Sequence, residues 1–182
     1  MLFPTVLAAS ALAGLSLGCA SSSTAADAGT SGGCPRYVSN ADLSTPILFE
    51  TDVLSPIFEA TCAAGGQSCH GDPSVVSSAR PFLGYFDHRA DAGTAGSVLG
   101  GLVGVKSMED PSMNLVTAGD PEQSFLMHKM DGDQCTLIEQ CMVTGSSRPN
   151  CGVFMPYQAP STLDVAQRDA VRGWIKQGAK IN

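Results

Sequence analysis

A basic patch is what this chain most plainly lacks. Lys and Arg together number 10 against 17 Asp and Glu, for a formal net charge of -7. That balance argues against nucleic acid and anionic lipid as ligands, and it leaves an acidic surface able to steer a basic protein partner. There is also no internal repeat, no glycine-rich phosphate loop and no nucleophile elbow, so repeat architectures and the corresponding phosphate and acyl chemistries have no motif to rest on. The usual C-x-x-C spacing of a redox dithiol is missing around Cys62 and Cys69. A zinc site built on Cys62, Cys69 and His70 lacks the second close ligand pair that structural zinc sites show.

What remains is a loop-rich globular composition. Of 182 residues, 43% are hydrophobic and 15% charged, with 20 Gly and 11 Pro, which suits one domain with tails. Residues 1–18, MLFPTVLAASALAGLSLG, read as a secretory signal, apolar and too short to span a bilayer comfortably. The Leu-Ser-Leu-Gly-Cys junction that follows resembles a bacterial lipobox, which implies lipidation at Cys19 and an exported chain held at the periplasm or cell surface. Residues 19–45 open with a Ser/Ala/Thr/Gly tract of tether character, and residues 46–182 are expected to form the domain.

Apart from Cys19 there are six cysteines, Cys34, Cys62, Cys69, Cys135, Cys141 and Cys151. An even number in an exported chain implies covalent pairing. Three of them fall within residues 133–154, a stretch with too little apolar surface to fold alone, where cross-links are the expected staple.

Three helices are predicted. In ETDVLSPIFEATC, Val53, Leu54, Ile57, Phe58 and Cys62 share one face, Pro56 limits how far back the helix begins, and Gly65 and Gly66 stop it. In GDPEQSFLMHKMDG, Asp120 caps, Pro121 takes the first position, Gln123 is the capping-box partner and Gly132 ends the helix. Phe125, Leu126 and Met130 form its apolar stripe. In STLDVAQRDAVRGWIKQGA, Ser161 or Thr162 caps and Gly178 closes the helix. Its expected buried face is Ala166, Ala170, Val171, Trp174 and Ile175, with Asp164, Gln167, Arg168, Arg172 and Lys176 on a solvated face. GTAGSVLGGLVGV, between the first two helices, reads as a short strand or a strap against the core.

The chemistry concentrates in CAAGGQSCHGD, residues 62–72. A Cys-His pair with a second cysteine upstream is how c-type haem is held, but with two residues between the cysteines and not six. Farther on, GVFMPYQAP presents Met155 followed by Pro156, a rigid extended turn that suits a thioether ligand.

The order IFEATC with SCHGD, then GDPEQSFLMHKM, FMPYQAP and DAVRGWIKQGA, from about Val53 to Ala179, resembles the class I cytochrome c family. The resemblance implies a mostly α fold with a disulfide-rich loop insert and one covalent haem c. It further implies His70 and Met155 as axial ligands, Cys69 and Cys62 as thioether anchors, and Trp174 as a core residue where the first and last helices cross. The implied role is electron transfer with redox protein partners, not catalysis, with the membrane reached only through the lipid anchor.

That reading carries a geometric condition. In a continuous helix, cysteines seven apart are separated by about 10 Å of rise, too far for one porphyrin, so the loop must bulge at Gly65 and Gly66. A Cys62–Cys69 disulfide would need the same closure. His88 and His128 stand as other possible sixth ligands. If haem takes Cys62 and Cys69, then Cys34, Cys135, Cys141 and Cys151 make two disulfides in one of three pairings. The rival from another class is a haem-free, disulfide-stapled surface lipoprotein that acts as a binding or assembly module.

Overall fold

A computed structural model describes residues 34, 37, 39, 41–63, 70, 71, 81, 83, 95–141, 151–157 and 163–182. Among these residues the fold is partly helical, and its regular elements are all helices or 3-10 turns. The helices are α1 (Phe49–Cys62), α2 (Ala95–Gly100), α3 (Phe125–Asp131) and α4 (Val165–Lys176), with 3-10 turns at Pro121–Gln123 and Gln134–Leu137. No described helix is long and apolar enough to cross a membrane.

The first helix begins well before the predicted limit, because Pro56 lies inside it and not near its start. A proline in a regular α-helix removes one backbone donor and crowds the carbonyl four residues back. Here the helix is wound in the wider π form, and it closes with Ala63 N donating to Phe58 O at 2.8 Å, a step of five residues. The expected apolar face is buried as a unit, Val53, Leu54, Ile57, Phe58 and Cys62, with Phe49 added at the N-terminal end.

α4 packs against that face through three aromatic rings. Phe49 stacks on Trp174 with centroids 4.8 Å apart, and Phe58 meets both rings edge-on at 6.2 and 6.4 Å. Trp174 is 1% exposed, and its Nε1 donates to Lys180 O at 3.0 Å, so the indole's polar edge is satisfied while its face is buried. The chain before α1 is strapped onto the end of α4. Gln177 accepts from Ile47 N and donates to Leu43 O and Thr45 O, and Asn182 bonds Phe49 N and Ile47 O.

The cap and charged face of α4 differ from the sequence reading. Asp164 caps the helix in a reciprocal box with Gln167, whereas Ser161 and Thr162 lie outside the described residues. Ala166 is exposed, and Arg172, expected in solvent, is 3% exposed. The reason is that α3 covers this side of α4. Arg172 Nη1 reaches Glu122 Oε1 at 2.6 Å and its Nη2 pairs with Asp131, which Arg168 also approaches at 3.6 Å.

The second predicted helix forms as a 3-10 turn capped by Asp120, whose side chain accepts from Gln123 N, followed after Ser124 by α3. Gly132, at φ 75°, ends α3 in the left-handed region as expected. The small-residue run gives the short helix α2 and then a strap with isolated bridges, Val103 to Val116 and Lys106 to Asn114, that buries Val98, Leu102 and Val116.

Disulfides join Cys34 to Cys135 and Cys141 to Cys151, with Cα separations of 5.8 and 5.0 Å. The first closes a sequence separation of 101 residues, for which chain entropy implies about 4–5 kcal/mol of stabilisation. It also brings the start of the described chain onto the domain, where Tyr37 lies over Arg168 at 4.1 Å and donates to Asp169 at 3.1 Å. The folded unit therefore reaches back to Cys34, before residue 46. Two disulfides are compatible with an exported protein.

Trp174→Ala removes the ring that joins both faces of the crossing and should cost about 3–5 kcal/mol in urea unfolding. A loss below about 1 kcal/mol would show that the crossing is held elsewhere.

Candidate functional site

The site is built at the C-terminal end of α1. Cys62 is 6% exposed, carries a free thiol and packs among the core residues. Burial pushes its pKa above the ordinary thiol value, against a smaller opposing effect of the Thr61 hydroxyl 3.5 Å from its sulfur. It is therefore a protonated thiol at neutral pH and neither a thiolate nucleophile nor half of a disulfide.

The chain returns to Cys62 at once. His70 N donates to Cys62 O at 3.2 Å, and His70 O accepts from Leu83 N at 2.7 Å. The two ends of the C-x6-C-H stretch thus meet across a single backbone hydrogen bond, although eight positions separate them in sequence. Cys69, Gly65 and Gly66, within the stretch, lie outside the described residues, as do His88 and Cys19.

The ring of His70 is oriented by a second bond. Its Nδ1 lies 2.8 Å from Pro81 O, and a carbonyl oxygen can only accept, so Nδ1 carries the hydrogen. A backbone acceptor behind Nδ1 both fixes the ring and raises the basicity of Nε2, as metal-binding histidines require.

Met155 is placed from α3. It is half-buried, and its N donates to Lys129 O at 2.8 Å. The segment before it is tied down at Cys151 by the Cys141 disulfide and by Lys129 Nζ, 2.7 Å from Cys151 O. Cys62 and His70 are thus brought together, while Met155 is seated through a separate element.

Both ring nitrogens of His128 have partners. Nδ1 meets Asp133 Oδ1 at 2.7 Å and Nε2 meets Glu122 O at 3.2 Å. Both partners accept, so each ring nitrogen is engaged and the contacts favour the protonated ring. It lines a depression of about 390 Å³ with Ser112, Met113, Gln123, Thr136 and Gln140. Among the described residues no group of three or more His, Cys, Asp or Glu is arranged to hold a metal ion.

Two residues with structural weight were not singled out by the sequence. Lys129, 6% exposed, pairs with Glu109 at 2.8 Å, and Arg172 is enclosed with Asp131. The available signal was their company. Lys129 sits among Phe125, Leu126, Met127 and Met130 on a helix of seven residues, and Arg172 interrupts Val171–Ile175, so neither helix has a free polar face at that point.

No family model, curated protein or solved structure matches the chain.

The charged cluster makes stability depend on pH. Burial pushes the Asp131 carboxyl up to about 6 from 3.8, over the pull of Arg172 and Arg168. Burial lowers the His128 value, but the Asp133 carboxylate and the Glu122 carbonyl together raise it above 6.5. Both groups hold protons more tightly in the folded chain, so their stabilisation is present at low pH and is lost as pH rises. For Asp131 the window runs from 3.8 to about 6, and for His128 from 6.5 up through its raised folded value. Melting temperature should therefore fall as pH rises through this range, by about 2–4 °C for each kcal/mol lost. His128→Gln should flatten the upper part of that slope, and an unaltered slope would mean that His128 does not titrate as described.

Proposed function

We propose that this chain is an electron-transfer protein that carries one covalently bound c-type haem, tethered at the cell envelope through Cys19. The observation that carries the reading is the closure of the C-x6-C-H stretch, with His70 N on Cys62 O at 3.2 Å. A straight helix would hold the two cysteines about 10 Å apart in rise; the return of His70 to Cys62 O supports the closer approach that a single porphyrin would require. The free thiol at Cys62 and the hydrogen on His70 Nδ1 fit the same group.

When bound, haem supplies a one-electron couple. The residues of the chain do the rest. Cys69 and Cys62 would hold the group through thioether bonds. His70 would help to hold the iron, with the Nδ1 bond to Pro81 O orienting its ring. Met155 would supply the second axial ligand, and a thioether there raises the potential relative to a second imidazole. Were His70 and Met155 both to hold the iron, the group would supply electron transfer and not substrate chemistry, which favours a carrier over a catalyst. The aromatic cluster of Phe49, Phe58 and Trp174 keeps water from the end of the fold where α1 and α4 cross. Redox protein partners follow from the role, and the net charge of -7 favours a basic one.

The rival reading, a haem-free stapled binding module, draws on the two disulfides and on exposed Val153 and Phe154 at 45% and 44%. Substitution at the two axial positions separates the alternatives. His70→Ala, produced in a host that attaches c-type haem, should lose the low-spin haem spectrum while the chain is still exported. Met155→Ala should keep covalent haem but lower its reduction potential or leave high-spin iron. A full wild-type spectrum in His70→Ala would remove His70 from the site, and an unchanged low-spin spectrum in Met155→Ala would remove Met155.

A further inference from the structure

Lys129 is buried where Lys106, Lys176 and Lys180 are exposed. An ammonium taken out of water is costly unless it is paired and hydrogen-bonded, and burial lowers its pKa from the ordinary lysine value. A leucine or methionine in its place would fill the same volume without that cost, so the position of the charge needs a reason.

Its contacts supply one. Lys129 holds the segment ahead of Pro156 at two points. The ammonium donates to Cys151 O at 2.7 Å, and its own carbonyl accepts from Met155 N at 2.8 Å. Cys151 is 3% exposed, so without the lysine its carbonyl would be buried with that donor lost.

The ammonium is itself held by Glu109 Oε2 at 2.8 Å. Glu109 is fixed in turn by the turn that carries it, since Ser107 Oγ accepts from Glu109 N and Asp110 N, each at 3.1 Å. Gly152 shows how tightly the segment passes this pair. Its φ is +67°, and a Cβ there would stand 2.5 Å from Glu109 Oε1 and 2.9 Å from Lys129 Nζ.

We propose that Lys129 is the positioning residue for Met155, a buried ammonium that fixes how far the thioether reaches by gripping the Cys151–Met155 segment at both ends. The proposal rests on the haem reading above for the word ligand, and on the hydrogen bonds alone for the grip. Lys129 touches neither haem nor substrate; it acts through Met155.

The test compares wild type, Lys129→Met and Gly152→Ala as full-length protein made in a host that attaches c-type haem. Gly152→Ala sets a methyl against Lys129 Nζ and Glu109 Oε1 without removing a charge and also strains the backbone at φ +67°; it serves if Lys129→Met fails to fold, and the fall in potential then carries the test. Two quantities are read, the reduction potential and amide hydrogen exchange at Met155 relative to Trp174. The grip predicts exchange at Met155 about tenfold faster or more in either variant, with Trp174 unchanged, together with a lower potential and a weaker thioether-to-iron absorption band. Wild-type exchange at Met155 in both variants overturns the proposal. Faster exchange at an unchanged potential overturns the positioning role as well. A colourless wild type sinks the haem reading and not the grip, which the exchange ratio then decides by itself.

Discussion

The stacking of Phe49 on Trp174 is the interaction from which the rest of the architecture follows. It locks the start of α1 against the end of α4, two elements from opposite ends of the described chain, and Phe58 completes the cluster one face away. Each aromatic pair contributes about 0.5–1.5 kcal/mol beyond the area it buries. With α1 fixed at its Phe49 end, its far end can only deliver Cys62 to one place, and the chain that returns from there brings His70 back onto Cys62 O.

The second constraint is charge placed where water is excluded. Arg172 and Asp131 are each about 4% exposed, and losing one partner of such a pair strands the other at a cost of about 3–5 kcal/mol. The pair fixes α3 against α4, and α3 is the element that carries Lys129 and, through it, the Met155 segment. Packing of α1 on α4 seats Cys62, and ion pairing of α3 on α4 within the same hydrophobic core seats the Met155 segment. The disulfides reinforce the latter, since Cys34–Cys135 and Cys141–Cys151 both enter the region just beyond α3.

Much of the fold was legible in the sequence where a pattern has one physical cause. The i, i+3, i+4 apolar spacing from Val53 to Cys62 is all buried, the Gly132 stop is a left-handed cap, and Trp174 is core. Other positions were not legible, because their state depends on what packs against them. Pro56 was read as a boundary, but π winding accommodates it inside the helix. Arg172 was read as solvated because nothing local to α4 announces that α3 will cover it. Of the candidate site, the sequence offers Cys62, His70 and Met155 as residues for the proposed role, but not the bond from Pro81 O that orients His70, nor Lys129 behind Met155. Both involve partners far enough along the chain that only the folded backbone brings them together.

The measurement that tests the account most directly is the intact mass and absorbance of the acid-denatured chain, purified from a host that attaches c-type haem, followed by mapping of the peptide that spans Cys62 to His70. The account predicts colour that stays with the denatured chain and a mass increment of one haem located on that peptide. A colourless chain of unmodified mass, with Cys62 and Cys69 recovered as thiols or as a disulfide, would contradict it and leave the closed loop as a structural feature of a stapled module.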